Sequence, residues 1–547
     1  MVLLITFLFI AVIARLIYIE AVTGEELQAR ALEQWYRDVP LRAERGEITD
    51  RNGVVLATSA TVYTIYARPV AVTNKEVTAA VLSETLELKY DAVLAKINSR
   101  SSEVTVKHGV DKDTVLKIAE SGATGIYVSE NIERVYPYGD LLTQVMGFTN
   151  SDVVGQTGVE AYYNDYLEGK DGYVLTEADL VGRELEDGVT YYVPGTAGAT
   201  AKLTIDYNVQ SFVENIIAEA KATHNAKSVS CVVMNAKTGE ILAMAENPSF
   251  DLNDVPRDDV KELLETSRCK LISDVFEPGS TFKILTAAIG LDTGAITTDY
   301  RCYCGGALTV DGQRIKCWRT IGHGSQTFAE GVQNSCNCMF MNIAMNVGVS
   351  GFYAGLEKLG VTSKTGIDMS GEASGLMIKE SAVKTVDLAR IGFGQAIAMT
   401  PIELLRAAAA VVNGGNLVTP YIMDSIVAAD GSVPYRAQPE IVTGVIKEST
   451  SAVMREVLES VVLVGSGKNA QVTGIRIGGK TGTAQKYENG AIARGKYVST
   501  FIGFAPADDP EYISLIVVDE PVGAYYGGIV AAPYVGEIFK NLYQYES

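Results

Sequence analysis

The sequence predicts a multidomain α/β protein with an apolar N-terminal helix, and three observations support that prediction. The chain has 547 residues, which is too long for one ordinary domain. It opens on an apolar run, continues as a mixture of short strand-like and helix-like segments, and changes in texture near residue 200. Its composition is 47% hydrophobic and 20% charged, which is typical of folded domains rather than of disorder.

The charge balance is strongly acidic, with a formal net charge of −20 and no block rich in Lys or Arg. Binding to nucleic acid requires clustered basic side chains that neutralise phosphates. We therefore expect no nucleic-acid partner.

The first predicted element is the apolar run from Val2 to Ile19, in which only Arg15 is charged. A helix of roughly 20 apolar residues crosses the hydrocarbon core of a bilayer. The run therefore predicts a transmembrane anchor over residues 1–19, so that the protein crosses the cell membrane once and its remaining domains are extracytoplasmic. A cleaved signal peptide and a buried core helix are the alternatives, and no small-x-small cleavage site follows the run to favour the first.

The second predicted domain, residues 20–225, is an α+β region in which no catalytic constellation is found. Asp50–Gly53 is a turn sequence between two short apolar runs, which predicts a hairpin. The domain boundary is placed near residue 225, where a strand-like and helix-like segment gives way to a new series of apolar runs.

The third predicted domain, residues 226–547, is a single large α/β domain. Its first apolar runs, Ser228–Met234 and Glu240–Ala245, flank Asn235–Gly239, which predicts a hairpin with glycine at a position of positive φ. Further along, Lys480 follows an apolar run and precedes two strand-like segments, so we expect it on or beside a sheet strand.

One sequence pattern in this domain, a serine three residues before a lysine, suggests a nucleophile beside its base. Only "EPGSTFK" combines a Pro-Gly turn before the serine with a good helix after the lysine, where backbone N–H groups and the helix dipole favour developing negative charge. The other two copies are interpreted as solvated helix faces. The pattern occurs at Ser267/Lys270, Ser280/Lys283 and Ser381/Lys384.

Two partner motifs, S-x-N and K-T-G, accompany S-x-x-K in serine acyltransferases of the penicillin-binding class. S-x-N occurs at Ser129, outside the third domain, and at Ser335. K-T-G occurs in the predicted hairpin turn at Lys237, in an irregular stretch at Lys364 and at the predicted strand of Lys480. The site chosen from context therefore comprises Ser280, Lys283, Ser335, Asn337 and Lys480.

Longer stretches resemble the class B penicillin-binding proteins, which are membrane-anchored peptidoglycan D,D-transpeptidases. They include "RGEITDRNGVVLA", "KTGEILAMAENPSFD", "EPGSTFK", "GGKTGTAQ" and "YYGGIVAAP", and "CYCGGALTVDGQRIKCW" is similar to the sporulation members of the stage V sporulation protein D type. The resemblance implies a pedestal, dimerisation-like domain over residues 20–225 and a transpeptidase domain of the serine β-lactamase-like fold over residues 226–547.

The resemblance also implies roles and partners. Ser280 would form an acyl-enzyme with a stem peptide or a β-lactam, Lys283 would be its base, and Ser335 with Asn337 would relay a proton. Lys480, Thr481 and Thr483 would hold the substrate carboxylate, beside Gly482, whose missing side chain lets substrate backbone approach. A membrane glycan polymerase and division or sporulation proteins are the implied partners, and no cofactor is implied.

The seven cysteines form a separate question, because five of them fall between residues 302 and 338. Cys336 is the middle residue of the S-x-N motif, and we hypothesise that a redox pair of Cys317 and Cys336 gates activity. Cys304 and Cys338 are rival partners, and a free thiol is the alternative. The one-residue spacing in Cys302-x-Cys304 and Cys336-x-Cys338 is not that of a usual zinc site, so no metal is expected.

Other functions remain open from the motifs alone. A serine β-lactamase shares them but requires a deacylating residue that the sequence does not identify. A D,D-carboxypeptidase differs only in using water as acceptor, and a β-lactam sensor or division scaffold would use the same pocket without turnover. His323 is expected to be structural, because Lys283 already fills the role of base.

Overall fold

The computed structural model describes residues 2–22, 36–177, 190–361, 363–488 and 491–547. Contacts divide the chain into two compact units that each combine distant segments. The smaller unit comprises Met1–Gly46, Ser59–Glu133 and Tyr166–Ala199, and the larger comprises Glu47–Thr58, Arg134–Asp165 and Thr200–Ser547. The sequence predicts one domain boundary, near residue 225, whereas each of these units combines several segments of the chain. The boundary stays a prediction.

The helices of the described residues are mostly short, apart from the first and from four in the larger unit. Short 3₁₀ turns cover Gly279–Phe282, Glu380–Ala382 and Lys468–Ala470. The α-helices are α1 Val2–Val22, α2 Lys75–Thr85, α3 Tyr90–Ile97, α4 Lys112–Glu120, α5 Thr143–Met146, α6 Gly158–Tyr162, α7 Asn164–Leu167, α8 Tyr207–His224, α9 Val260–Thr266, α10 Lys270–Ser273, α11 Lys283–Asp292, α12 Phe328–Gln333, α13 Asn337–Val347, α14 Val349–Lys358, α15 Thr385–Ile391, α16 Pro401–Val412, α17 Glu448–Leu463, α18 Gly527–Val530 and α19 Ala532–Glu546.

The strands are β1 Tyr36–Leu41, β2 Ile48–Thr49, β3 Val55–Ala67, β4 Val104–Val110, β5 Ile126–Val135, β6 Gly172–Glu177, β7 Thr190–Val193, β8 Thr200–Leu203, β9 Ser228–Asn235, β10 Ile241–Asn247, β11 Arg301–Cys304, β12 Ala307–Val310, β13 Gln313–Lys316, β14 Gly324–Thr327, β15 Leu376–Met377, β16 Ile397–Ala398, β17 Asn416–Val418, β18 Met423–Val427, β19 Tyr435–Arg436, β20 Ile441–Thr443, β21 Gly478–Glu488, β22 Ala491–Ala505 and β23 Tyr512–Asp519. The two longest described strands are β22, with 15 residues, and β3, with 13.

The smaller unit mixes strands and helices, as the sequence predicts. Strands β1, β6 and β7 form an antiparallel sheet. The end of β3 pairs with β4, and α2 and α3 pack on this pair around buried aliphatic side chains such as Leu82 and Ile97. The N-terminus of α2 is capped by the side chain of Asn74, which accepts from the backbone N–H of Val77.

The apolar helix α1 belongs to this unit and carries exposed side chains, among them Phe7 and Phe9 at 69% and 66% exposure. Across the described residues, no helix meets the combined length and hydropathy of a membrane span.

The larger unit is built on a five-stranded antiparallel sheet in the order β10–β9–β23–β22–β21. The predicted hairpin of β9 and β10 is confirmed, and Gly239 occupies the turn with a φ of 84°. The predicted hairpin at Asp50–Gly53 is confirmed as the turn between β2 and β3. Lys480 lies on β21, at the edge of the large sheet, so the expectation of a strand there is also confirmed.

Helices cover both faces of this sheet. On one face α8 and α19 pack against alternate residues of the strands, including Val229, Phe501 and Ile516. On the other side lies α16, which is buried along its whole length. Helix α11 packs against α13, α16 and α17. Lys283, the first residue of α11, is therefore buried.

A buried ion pair joins the end of β5 to helix α6. Arg134 and Glu160 lie 2.7 Å apart, with side chains only 2% and 0% exposed. Removing one partner of such a pair leaves an uncompensated buried charge, which costs about 3–5 kcal/mol. Arg134→Met should therefore lower the thermal unfolding midpoint markedly. Lys237→Met removes the exposed pair with Asp509 and is the control, since exposed pairs contribute about 0–1 kcal/mol. Equal shifts in the two variants would contradict the prediction.

Candidate active site

The turn that carries Ser280 is held tightly between two neighbouring segments. Gly279 has a φ of 53°, and its N–H donates to the carbonyl oxygen of Gly394 at 3.0 Å. A Cβ on Gly279 would lie 3.0 Å from the carbonyl oxygen of Thr483 on β21. Glycine is therefore required both by the backbone conformation and by the close approach of the strand.

Ser280 lies in the 3₁₀ turn Gly279–Phe282, and Lys283 is the first residue of α11. The predicted helix is α11, and Ser280 lies in the tighter 3₁₀ turn that precedes it. Side chains three residues apart eclipse each other in a 3₁₀ turn. Lys283 Nζ accordingly lies 3.0 Å from Ser280 Oγ.

Lys283 is 1% exposed, and its Nζ has three oxygen neighbours besides Ser280 Oγ. They are the carbonyl oxygen of Ser335 at 2.8 Å, Ser335 Oγ at 3.1 Å and Asn337 Oδ1 at 2.7 Å. Burial disfavours the ammonium form and lowers the pKa of Lys283 to about 8. A neutral amine can accept a hydrogen bond from the Ser280 hydroxyl, which is the direction that proton transfer needs.

Ser335 is placed just before α13 with an unusual backbone conformation, a φ of 52° in a residue other than glycine. Such a conformation costs of order 1–3 kcal/mol and recurs at functional sites. It directs Oγ between two lysines, 3.1 Å from Lys283 Nζ and 3.0 Å from Lys480 Nζ. The hydroxyl is thus positioned to pass a proton between the two sides of the cleft.

Lys480 approaches the same oxygen from the edge strand β21. It is fully buried, and its Nζ also donates to the carbonyl oxygen of Thr481 at 3.0 Å. Burial, and then the charge of Lys283, hold the pKa of Lys480 well below its ordinary value. Two buried ammonium groups that share one hydroxyl repel each other, so the pair resists carrying two positive charges at neutral pH.

The residues after Lys480 form one wall of the cleft. Thr481 Oγ1 lies 3.1 Å from Ser466 Oγ, and Thr483 Oγ1 accepts from the N–H of Gly527 at 3.1 Å. A Cβ on Gly482 would lie 2.1 Å from Thr500 Oγ1 and 3.0 Å from Thr281 Cγ2. The space beside Gly482 is therefore occupied by Thr500 of β22 and by Thr281 of the turn that carries Ser280. The predicted approach of substrate backbone stays a prediction.

A cavity of about 610 Å³ opens beside this site, and its lining includes Ser280, Ser335, Asn337, Thr481 and Thr483. Its rim carries residues that the sequence reasoning missed: Trp318, Ser466, Tyr497, Tyr525 and Tyr526. The rings of Tyr497 and Tyr525 stack with centroids 4.0 Å apart, although Tyr497 lies on β22 and Tyr525 in the segment before α18. No pattern along the sequence links Tyr497 to Tyr525. Of the rim residues, only Tyr525 and Tyr526 fall in a stretch that the motif resemblance had marked, "YYGGIVAAP".

The rival motif copies lie away from this cavity. Ser267 ends α9, Ser381 lies in an exposed 3₁₀ turn, and Lys237 occupies the β9–β10 hairpin. Lys364 and Ser129 do not border the cavity either. Of the three S-x-x-K copies, the structure brings only Ser280/Lys283 together with the S-x-N serine and a K-T-G lysine.

A cluster of sulphur and nitrogen donors lies beside the S-x-N motif. The donor atoms of Cys304, Cys317, His323 and Cys336 all lie within 4.8 Å of one another. All seven cysteines are buried and free, and Cys338 Sγ is 3.5 Å from Cys304 Sγ. Thiolate and imidazole donors are the ligands that zinc prefers, so this set could hold a metal ion. The spacing argument against metal does not apply, because the four donors come from separate segments.

His323 belongs to this cluster rather than to the catalytic hydrogen bonds. Its Nδ1 lies 3.7 Å from Cys317 Sγ, and its ring packs edge-on against Trp318. Hydrogen bonds from the thiols of Cys336 and Cys338 lower the pKa of Cys317, and the same contact raises the pKa of Cys336 to about 12. These contacts therefore favour the thiolate form of Cys317 over that of Cys336.

The buried lysine gives the site a defined pH dependence. The amine of Lys283 is a base only when neutral, and its neutral fraction grows as the pH rises through about 8. With Lys283 as the base that the motif resemblance implies, the rate constant for acylation of Ser280 by penicillin is expected to rise from pH 6 and to level off above about pH 8 to 9. Measuring it from pH 6 to about 10 checks this. A rate that climbs only above pH of about 10, as for an exposed lysine, would contradict it.

Comparisons with known proteins agree with this geometry. Residues 229–544 match the penicillin binding protein transpeptidase domain, and residues 40–203 match the penicillin-binding protein dimerisation domain. The chain is 38% identical over 539 residues to stage V sporulation protein D of Bacillus subtilis, covering 97% of this chain and 83% of that protein. It is 30% identical to the peptidoglycan D,D-transpeptidase FtsI of Escherichia coli, covering 97% of this chain and 88% of that protein.

A solved structure shows the same similarity in three dimensions. Penicillin binding protein 3 from Mycobacterium tuberculosis, in complex with aztreonam, superimposes with a TM-score of 0.71 at 26% sequence identity, covering 93% of this chain and 97% of that one. The resemblance that the sequence motifs indicated is therefore confirmed. The chain belongs to the penicillin-binding protein transpeptidase family, with the dimerisation and transpeptidase domains of its class B members.

Proposed function

We propose that this protein is a peptidoglycan D,D-transpeptidase that cross-links stem peptides through a serine acyl-enzyme and is acylated by β-lactams. The observation that carries the proposal is the position of Lys283 Nζ, 3.0 Å from Ser280 Oγ and within hydrogen-bonding distance of Ser335 and Asn337. A nucleophile, a buried base and a proton relay thus meet in one cleft.

The first half of the reaction uses these groups in order. Neutral Lys283 takes the proton of Ser280 as Oγ attacks the carbonyl carbon of the penultimate D-Ala. The C–N bond to the terminal D-Ala breaks, and the proton passes through Ser335 to the leaving amine. The backbone N–H groups of Ser280 and Thr483 are the proposed oxyanion donors, each worth roughly 3–4 kcal/mol.

The other wall of the cleft holds the donor substrate before acylation. Lys480, Thr481 and Thr483 bind the carboxylate of the terminal D-Ala. After terminal D-Ala leaves, an amine from another stem peptide attacks the ester and restores Ser280.

Incubation with a stem pentapeptide ending in D-Ala-D-Ala and an amine acceptor tests the proposal. Mass spectrometry should show release of D-Ala and a cross-linked product that carries both peptides. Release of D-Ala with water as the sole acceptor would indicate a D,D-carboxypeptidase. Rapid turnover of penicillin would indicate a β-lactamase, and penicillin labelling without any reaction of the peptide would indicate a sensor or scaffold.

We also propose that the chain is anchored in the cell membrane through residues 1–19, with its catalytic domain extracytoplasmic and close to a membrane glycan polymerase and division or sporulation proteins. The support is the apolar sequence of this segment and the exposure of side chains such as Phe7 on α1. The chain should stay with membranes after extraction with alkaline carbonate, and deletion of residues 1–19 should release it.

The cysteines beside Ser335 support a regulatory proposal. The Sγ atoms of Cys317 and Cys336 lie within 4.8 Å of each other, and Cys336 directly follows Ser335 in the chain. Oxidation by a disulfide such as oxidised glutathione would join the two thiols and yield two reduced glutathione molecules. The new bond would pull Cys336 toward Cys317, displace Ser335 and slow acylation.

Disulfide mapping and penicillin labelling after treatment with oxidised glutathione test this switch. Labelling should fall in the native chain and not in Cys317→Ser, whereas Cys231→Ser, on the distant strand β9, should behave as the native chain. Thiols that resist oxidation because they hold zinc would contradict the switch, and metal analysis of the purified chain would reveal that state.

A further inference from the structure

The segment that leads into Ser280 lies beside residues 394–399, which we call the supporting segment. Phe276 and Met399 exchange two backbone hydrogen bonds of 3.1 Å, as residues of an antiparallel ladder do. Further along, the N–H of Gly279 donates to the carbonyl oxygen of Gly394 at 3.0 Å. The supporting segment therefore contacts the chain on both sides of the Glu277-Pro278 dipeptide.

The backbone alone does not continue this ladder between its two ends. Pro278 has no N–H to donate. On the supporting segment, Gly394 and Ala396 have φ values of 84° and 59°, which lie in the left-handed region rather than in the extended region of a strand. The interval between the two backbone contacts is bridged by a side chain instead.

That side chain is Glu277. Its Oε1 accepts from the backbone N–H of Ala396 at 3.0 Å, in place of the carbonyl oxygen that a regular ladder would supply. Ala396 is not glycine, and a left-handed conformation in such a residue persists only where the surrounding contacts impose it. Glu277 supplies one of those contacts, two residues away from the carbonyl group that holds Gly279.

The second oxygen of Glu277 points to the same role. Oε2 is buried and has no hydrogen-bond partner in the part of the chain that the structure describes. Burial raises the pKa of Glu277, since it disfavours the charged form of the carboxyl group. The side chain therefore does not offer Oε2 to a ligand, and the hydrogen bond that fixes it is that of Oε1. Such a bond needs an acceptor oxygen but no negative charge.

We infer that Glu277 is a positioning residue for the acylation of Ser280. Through Ala396 it keeps the carbonyl group of Gly394 in place, and that carbonyl fixes Gly279, whose neighbour Ser280 carries the proposed oxyanion N–H. The inference rests on the proposed function and deepens it, because it assigns a role to a residue that does not touch the substrate.

The effect belongs to the chemical step rather than to binding. An oxyanion donor acts only when it is aimed at the position that the oxyanion will occupy, so a small displacement of Gly279 and Ser280 weakens it. The ligand carboxylate is held on the opposite wall by Lys480, Thr481 and Thr483, none of which contacts Glu277. Loss of the Glu277 contact should therefore lower the rate of acylation without weakening the initial complex.

Stopped-flow acylation by penicillin tests this in the full chain, because its concentration dependence separates the dissociation constant from the limiting rate constant. Glu277→Ala should lower the limiting rate constant by up to about 100-fold and leave the dissociation constant unchanged. Glu277→Gln should restore the native rate constant, since its amide oxygen can accept from Ala396. The pH profile of Glu277→Ala should keep its native midpoint, because Lys283 remains the base.

Glu214→Ala is the matched control. Glu214 Oε1 accepts from the backbone N–H of Leu142 at 2.8 Å, and Leu142 also has a left-handed conformation, with a φ of 61°. Neither residue borders the cavity beside Ser280. This variant should keep the native limiting rate constant even where its thermal unfolding midpoint falls. A rate constant taken from a single exponential does not depend on the fraction of protein that is folded.

Three results would overturn the inference. The first is a native limiting rate constant in Glu277→Ala. The second is a rate in Glu277→Gln as low as that in Glu277→Ala, which would make the charge and not the contact responsible. The third is equal slowing in Glu214→Ala, which would indicate a general loss of structure. A native chain that penicillin does not acylate would instead contradict the proposed function.

Discussion

Replacing Ser280 with alanine is expected to abolish covalent labelling of the protein by a fluorescent penicillin. The substitution removes the oxygen that lies 3.0 Å from Lys283 Nζ and leaves the surrounding hydrogen bonds in place. The residual rate should be lower by about 10⁴-fold or more, because the oxygen that forms the ester is removed. Gel fluorescence after a short exposure to the penicillin measures the effect.

Two matched controls distinguish a lost nucleophile from a general loss of serine. Ser267→Ala and Ser381→Ala remove the serines of the other S-x-x-K copies, which do not border the cavity. Both should label like the native chain. Labelling of the Ser280→Ala variant at the native rate would refute the assignment of the nucleophile.

Replacing Lys283 with arginine is expected to have the second largest effect. Arginine keeps the positive charge but cannot become neutral at any pH that the protein tolerates, since its pKa lies above about 12. The variant should therefore lose the base while retaining a cation near Ser335. Acylation should slow by roughly 10²–10⁴-fold, the usual contribution of general base catalysis.

The pH profile makes this second prediction specific. In the native chain the rate is expected to follow the neutral fraction of Lys283, whose pKa is lowered to about 8 by burial. In the arginine variant the residual rate should no longer follow that curve. Lys384→Arg, in an exposed copy of the motif, should leave both rate and profile unchanged. A variant that keeps the native profile would show that another group accepts the proton.

Local patterns were enough to predict much of this fold. The β9–β10 hairpin followed from a glycine-containing turn between two apolar runs, and the strand of Lys480 followed from the apolar run before it. These elements are encoded by neighbouring residues, so a reading along the chain can find them. The two compact units are different, because each is assembled from segments that lie far apart in sequence.

The same distinction applies to the site. Ser280, Lys283, Ser335 and Lys480 were chosen because short motifs and their context point to one chemistry, and the structure brings all four together. Lys480 Nζ lies 3.0 Å from Ser335 Oγ, although the two residues are 145 positions apart in the sequence. A local sequence pattern cannot predict a contact between such distant positions. The place of His323 beside Cys304, Cys317 and Cys336 was missed for the same reason.

The glycines around the nucleophile also restrict how the protein can evolve resistance to β-lactams. A Cβ on Gly394 would lie 1.9 Å from the carbonyl oxygen of Gly279, and a Cβ on Gly482 would collide with Thr500. Substitutions there would disrupt the turn that both the drug and the natural substrate need. Resistance that preserves cell-wall synthesis should therefore arise at exposed rim positions such as Trp318 and Tyr526, where a drug can lose contacts that the peptide does not require.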